Sequence, residues 1–263
     1  MDLSRVGLLG FGQIGQAIEQ CYSAHRPDIK LCIQDPFQDH HDDLQGCELV
    51  NVAIPFTREF VNTMRAVLDT LLPGVIVVIH STVAPGTTRT LQNAFPNLVV
   101  LHSPVRCVHP NRYEGLRTFE KYIGHCDKPH AASEYATHLS TLGVAPFMCI
   151  AEESELAKLF STTYYAKIIK YHTDVARVVE KNGLNCYNVM THWNKGYNAG
   201  YRELNMPHVG RPTLTPMVGT FGGHCLGPNA NILHEFSPES RSVVADLMPL
   251  ISDDHKAFLD NAK

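Results

Sequence analysis

The strongest constraint on the fold is the order in which apolar runs and helical patterns alternate through the first 150 residues. "SRVGLLGFG" reads as a strand, and "QIGQAIEQCYSAH" carries apolar residues at helical spacing. "IKLCIQD" and "CELVNVAIPF" read as two further strands. "TREFVNTMRAVLDTLL" is a helix, with Thr57 as its expected N-cap and Pro73-Gly74 as its stop. "VIVVIHSTV" is almost continuously apolar, the pattern of a strand buried on both faces. "NLVVLHSP", "KYIGHC" and "APFMCIA" follow as strands, with "KPHAASEYATHLSTLG" a helix between the last two. Such alternation predicts a doubly wound parallel sheet.

Beyond residue 151 the strand signals stop. "ESELAKLFSTTYYAKIIKYHTDVARVVEKNG" contains no proline, and its glycine, Gly183, falls at the end as a C-cap should. A helix of about 30 residues is about 45 Å long, enough to span two domains or to pack against a second subunit. "CYNVMTHWNKGYN" reads as a shorter helix. A proline- and glycine-rich segment runs from Pro207 to Pro228, and two helical stretches close the chain. The expected architecture is α/β: an N-terminal Rossmann doubly wound parallel sheet over 1–150, then an all-α domain over 151–263 with a long connecting helix.

Composition narrows the class. The 263 residues are 44% hydrophobic, enough for a packed core, with a formal net charge of -4. That balance argues against a general nucleic-acid or anionic-membrane partner. No apolar run approaches the roughly 20 residues that span a bilayer, and "MDLSRVGLLGFG" does not read as a signal peptide. A cytoplasmic protein is expected. The eight cysteines (21, 32, 47, 107, 126, 149, 186, 225) form no C-x-x-C pair. No metal site is therefore expected, and most thiols should be small buried apolar groups. "DHHDD" at 39–43 looks like a metal tract but supplies no closed shell, so a solvated loop or helix start is expected.

The segment "GLLGFGQIGQAI" contains Gly10-Phe11-Gly12-Gln13-Ile14-Gly15 directly after a strand and at the opening of a helix. That context turns a weak G-x-G-x-x-G pattern into a dinucleotide loop. Gly10 allows the tight turn, Gly12 lets the backbone approach a pyrophosphate, and Gly15 lets helix and strand pack closely. The helix N-terminus at Gln13 and Ile14 offers free N–H groups to the anion. The second strand ends at Asp35, 20 residues beyond Gly15. An acid there accepts from the adenosine ribose and repels a 2′-phosphate, so the expected cofactor is NAD rather than NADP.

Two further features carry chemistry. Lys158 and Thr162 stand four residues apart in "ELAKLFST" and share one helix face, with Leu156, Ala157, Leu159 and Phe160 around them. Burial there would lower the lysine towards a useful pKa. Cys225 lies in "GTFGGHCLGPN", a loop that can be neither a strand nor a helix interior.

Together these segments resemble the UDP-glucose/GDP-mannose dehydrogenase family. The likeness rests on "GLLGFGQIG", "NVAIP", "HSTVAPGTT", "SPVRCVHPNRYEG", the long helix and "GTFGGHC", in that order over nearly the whole chain. The resemblance implies an NAD-dependent oxidation of a sugar primary alcohol to the acid, serving polysaccharide biosynthesis. It makes Cys225 the nucleophile that captures the aldehyde as a thiohemiacetal and carries the thioester. Lys158 stabilises the developing oxyanion. Thr162 stands where the family usually has asparagine, and Thr82 lies near the nicotinamide and the catalytic water. The matching segments place Ala53, Pro55, Ser81 and Thr82 beside the cofactor. Gly222, Gly223 and Arg211 are expected to contact the substrate, a sugar or nucleotide-sugar. A homodimer is expected, since family members pair through this region, with Leu159, Thr163, Ala166, Ile169 and Ala176 as a seam. Alternatively, that stripe packs on the chain's own domain.

Three departures from the family pattern bear on the chemistry. Val105 replaces an acid after the proline of "HSPVRC", and Asn229 replaces an aspartate four residues after the cysteine. The family's C-terminal nucleotide-binding domain has no counterpart before Lys263, so a partner could supply it. Three readings stay open: a four-electron dehydrogenase using Cys225, a two-electron dehydrogenase of hydroxyacid type with an incidental Cys225, and a catalytically weak NAD-binding module.

Overall fold

Among the described residues the alternation resolves into eight strands in one sheet, β1 (Arg5–Leu9), β2 (Lys30–Asp35), β3 (His40–His41), β4 (Leu49–Val52), β5 (Ile76–Ile79), β6 (Val99–His102), β7 (Lys121–His125) and β8 (Pro146–Ile150). They lie in the order β3-β2-β1-β4-β5-β6-β7-β8. The structure is a computed structural model, and it describes residues 3–106, 111–217, 219–221 and 225–252. Among the described residues the helices of the α/β part are α1 (Gln13–His25), α2 (Phe60–Leu68), α3 (Thr87–Ala94), α4 (Arg112–Thr118) and α5 (Pro129–Thr141).

The sheet is mixed rather than wholly parallel. β1 pairs parallel with β2 and β4, and β4–β5–β6 continue in parallel. β7 turns antiparallel against β6, with Leu101 opposite His125 and His102 opposite Gly124, and β3 runs antiparallel to β2. An apolar run reads the same in both directions, so periodicity does not record strand polarity. The central strands are buried on both faces, as their unbroken apolar sequences predict. Alternate residues sort to opposite sides: Leu49, Ile76 and Val78 pack with Ile18 and Tyr22 of α1 and Tyr135 of α5. Val50, Val77 and Ile79 pack with Phe60 and Met64 of α2.

Two local expectations change. α2 begins at Phe60, and Thr57 is not its cap: the Thr57 hydroxyl accepts from Glu59 N at 3.1 Å and closes a turn before the helix. The "DHHDD" segment is an edge hairpin, not a helix start. His40–His41 form β3, and Asp42 accepts from Ile33 N at 2.9 Å.

The chain divides into two units, one reaching Leu159 and the other starting at Phe160. α6 (Ala151–Lys181) contributes residues to both. Its beginning is fixed by Glu155, which is fully buried and accepts from Gly86 N at 2.6 Å, Thr88 N at 2.9 Å and Thr88 Oγ1 at 2.6 Å. The carboxylate thus satisfies orphan N–H groups at the start of α3. Its end is fixed by Gly183 at φ +65, with Leu184 N donating to Val179 O at 3.0 Å. In the second unit follow a π-helical turn (Tyr187–His192), α7 (Trp193–Glu203), α8 (Leu226–Phe236) and α9 (Pro238–Val244). Leu159, Thr163, Ala166 and Ala176 are buried within the chain and Ile169 is half-buried, while Tyr164, Tyr165 and Tyr171 are exposed.

Candidate functional site

β1 runs straight into the glycine loop, and each glycine meets a different constraint. Gly10 holds φ +90, and a Cβ there would lie 2.8 Å from Ala53 O. A Cβ on Gly15 would lie 2.2 Å from Gly10 O, so close contact between α1 and the loop depends on its absence. A Cβ on Gly12 would meet nothing within 4 Å. That space opens at the N-terminus of α1, where no side chain caps the helix. The uncapped turn at Gln13 and Ile14 therefore keeps N–H groups for an anion, and the cradle fits a dinucleotide pyrophosphate.

Asp35 is drawn to this loop by its backbone contacts. Its carboxylate accepts from Phe11 N at 2.7 Å and from Phe37 N at 3.1 Å. Ala53 N donates to Leu9 O at 2.8 Å and keeps the end of β4 against β1. Pro55 is exposed, and Ser81 Oγ donates to Ile54 O at 2.5 Å. Thr82 follows at the end of β5, half-buried. Gly10, Gly12, Gly15, Asp35 and Ala53 are thus brought together at the carboxyl ends of parallel strands, where open α/β sheets bind ligands.

Behind these strand ends lies a buried polar layer that the sequence reading missed. His80 Nδ1 lies 2.9 Å from Ser103 O, and its Nε2 lies 2.9 Å from Asn51 Oδ1. His102 Nδ1 lies 2.7 Å from Ser154 Oγ, and its Nε2 lies 3.1 Å from Ser81 O. Lys121 Nζ donates to Pro104 O at 3.0 Å and also to Ser103 O. Burial pushes His102 down to about 3, with further lowering from Lys121 and Lys158, and drives His80 well below its ordinary value. Both imidazoles stay neutral and hold the strand ends that carry Ser81 and Thr82. The only trace in sequence is a histidine ending each of two apolar runs, "VIVVIH" and "VVLH".

In the second unit, Cys225 is exposed and stands at the N-cap of α8. Burial pushes the thiols of Cys21, Cys47, Cys126 and Cys149 up to about 11. Four residues on, Asn229 is buried in the first turns of α8, and its side-chain amide donates to Thr162 Oγ1 at 3.1 Å. Near them opens a cleft of about 560 Å³ lined by Tyr165, Thr213, Thr215, Phe221 and Leu226, among others. Arg211 is exposed, its backbone clamped by Asn198, with its guanidinium 3.6 Å from the Tyr197 ring centroid. Lys158 is half-buried, one helical turn before Thr162. Val105 is a core residue, packed in the same apolar cluster as Ile123. Gly222 and Gly223 lie outside the described residues.

Fold and loop together define a Rossmann-type α/β unit with a glycine loop at its first strand, continued by a helical unit. The chain is a homologue of nucleotide-sugar dehydrogenases, matching the N-terminal part of their length. It is 24% identical over 212 residues to the UDP-N-acetyl-D-mannosamine dehydrogenase of Pyrococcus horikoshii, covering 77% of this chain and 44% of that protein. It is 26% identical over 175 residues to the UDP-glucose 6-dehydrogenase of Campylobacter jejuni, covering 65% and 41%. The chain therefore spans less than half the length of these curated relatives. The solved UDP-D-ManNAc dehydrogenase of Pyrococcus horikoshii superposes with a TM-score of 0.73 at 21% identity, over 97% of this chain and 69% of that one. A 3-hydroxyisobutyrate dehydrogenase of Mycobacterium tuberculosis shares the fold at a TM-score of 0.65 and 14% identity, over 98% of both chains. No protein-family model matches.

Proposed function

We propose that this chain carries the cofactor-binding and catalytic part of an NAD-dependent dehydrogenase that oxidises a primary alcohol of a sugar or nucleotide-sugar to the acid. The observation that carries this reading is Cys225: an exposed thiol at a helix N-terminus, one turn from the Asn229–Thr162 pair. A helix N-terminus favours an anionic sulfur. Bound NAD supplies the hydride acceptor, held by the Gly10–Gly15 loop and Asp35.

In this reading Lys158 stabilises the alkoxide that develops as the alcohol is oxidised. The Cys225 thiolate adds to the aldehyde carbon, and the oxygen takes the proton that completes a thiohemiacetal. A second two-electron oxidation converts that adduct to a thioester. Water then adds to the carbonyl, the C–S bond breaks, the acid leaves and the thiol is regenerated. Thr162 and Asn229 orient that water by hydrogen bonds, since neither is a base at neutral pH. Thr82 lies on the cofactor side, and Arg211 with the 222–223 glycines serves the substrate.

The names of the relatives point to a nucleotide-sugar as the substrate class; in this reading the reaction is cytoplasmic and serves the making of polysaccharide precursors. A second copy of the chain is the expected partner, with Tyr164, Tyr165 and Tyr171 of α6 as exposed material for a seam. A separate protein could supply further nucleotide-binding surface. A two-electron reaction is the second reading, favoured by the neutrality of the Asn229–Thr162 pair, which leaves thioester hydrolysis without a carboxylate there.

The test is NADH stoichiometry with a panel of UDP- and GDP-sugars, for the unmodified protein and Cys225→Ala. Two NADH per sugar, falling to none or one in the variant, supports the four-electron path. One NADH, unchanged in the variant, selects the two-electron path. NAD binding without turnover leaves a binding module.

A further inference from the structure

Phe37 is 85% exposed, the most exposed large apolar side chain among the described residues. A lone exposed apolar residue is ordinary, but this one is held in a built position. Its backbone N–H donates to Asp35, and Pro36–Gln38 form a helical turn that presents it at the tip of a hairpin. Asp39 then takes left-handed backbone at φ +59, and His40 and His41 return to pair with Asp35 and Gln34. The His40 ring stands edge-on to Phe11 of the glycine loop, with centroids 4.5 Å apart. The hairpin is therefore tied to the phosphate cradle by a carboxylate and by a ring contact.

We propose that Phe37 stacks on the adenine of the bound dinucleotide; the assignment rests on the cofactor reading above. The argument is one of order. Asp35 accepts from Phe11 N of the phosphate loop through one oxygen and from Phe37 N through the other. Each carboxylate oxygen has a second lone pair, which leaves room for ribose hydroxyls. The sequence phosphate loop, Asp35, Phe37 then matches the order pyrophosphate, ribose, base in the ligand. An aromatic face at the end of that row is the partner a base takes up, because every base presents a π-face.

The test is calorimetry with NAD, ADP-ribose and nicotinamide mononucleotide, on the full chain and on Phe37→Ala, Phe37→Leu and Phe37→Tyr. Since Phe37 is exposed, the variants should fold with unchanged melting temperature. Stacking predicts that Phe37→Ala weakens NAD and ADP-ribose by about five- to a hundredfold, while nicotinamide mononucleotide, which lacks adenine, is unaffected. Phe37→Tyr should restore binding. Adenine H2 and H8 should shift upfield in the NMR spectrum of bound ADP-ribose and lose that shift in Phe37→Leu. If the full chain binds NAD and Phe37→Ala binds it equally well, the stacking assignment is overturned and the cofactor reading stands. Leucine matching phenylalanine, with the upfield shift absent from both, also overturns stacking. A full chain that binds neither NAD nor ADP-ribose overturns the cofactor reading and this assignment together.

Discussion

The side-chain amide of Asn229 donates to the hydroxyl of Thr162 across 3.1 Å, joining residues 67 positions apart in sequence. Both groups are neutral, so in the proposed four-electron path water must attack the thioester without a carboxylate at this pair. Asn229→Asp should accelerate that step by about a hundredfold. Rapid-mixing measurement of NADH would show an initial burst in the unmodified protein that disappears in the variant as steady-state turnover rises. An unchanged burst in the variant would make the pair structural only.

The glycine loop separates folding from binding. Gly12→Ala meets no atom within 4 Å, and Gly12 has φ -66, so the fold should persist. The new methyl would stand where the pyrophosphate must approach, and NAD affinity should fall more than about tenfold. Gly15→Ala drives a methyl to 2.2 Å from Gly10 O and must move backbone. Thermal melting should drop for Gly15→Ala alone, with calorimetry showing lost NAD affinity for both.

Buried neutral histidines set the acid limit of stability. Burial holds His102 at about 3 and His138 at about 4, and holds His80 well below its ordinary value. In the unfolded chain each regains a pKa of about 6.5. The unfolded state then binds more protons below that value, so stability is complete above it and falls as the pH drops towards 4 and 3. Each histidine contributes a slope of at most about 1.4 kcal/mol per pH unit. Urea unfolding between pH 7 and pH 4 should be less steeply pH-dependent in His102→Gln than in the unmodified protein.

Glu155 supports the first unit. Burial raises its carboxyl above the ordinary value, and the bonds from Thr88 and Gly86 offset part of that rise. Glu155→Ala would leave the Gly86 and Thr88 amides without their carboxylate. The expected loss is about 3 kcal/mol in urea unfolding. Glu155→Gln keeps a carbonyl acceptor and should lose less.

Much of the fold was legible because it is written in neighbours. The spacing of Gly10, Gly12 and Gly15 answers to local sterics, and α1 falls at Gln13–His25 as its apolar spacing predicts. The span of α6 follows from an unbroken helical pattern stopped at Gly183. Short helices were harder: α3 and α4 have only eight and seven residues, too few for a period to emerge. Thr57 is a good capping residue, yet it closes a turn ahead of α2, because a threonine hydroxyl serves either purpose.

By itself, then, the sequence determined the alternating α/β layout and the glycine loop with Asp35 at the end of β2, while it read as loop the residues after Cys225 that the structure places in the first turn of α8. The layout and the glycine loop depend on periodicity and on backbone freedom, which act over a few residues. Only the tertiary structure decided the antiparallel turn of β7, the hairpin that presents Phe37, the burial of Val105, the capping of α3 by Glu155 and the pairing of Asn229 with Thr162. Apart from the Phe37 hairpin, whose pairing is local, each of these is set when chain closure brings distant backbone and side-chain groups within hydrogen-bonding or packing range. No local pattern encodes which distant groups will meet.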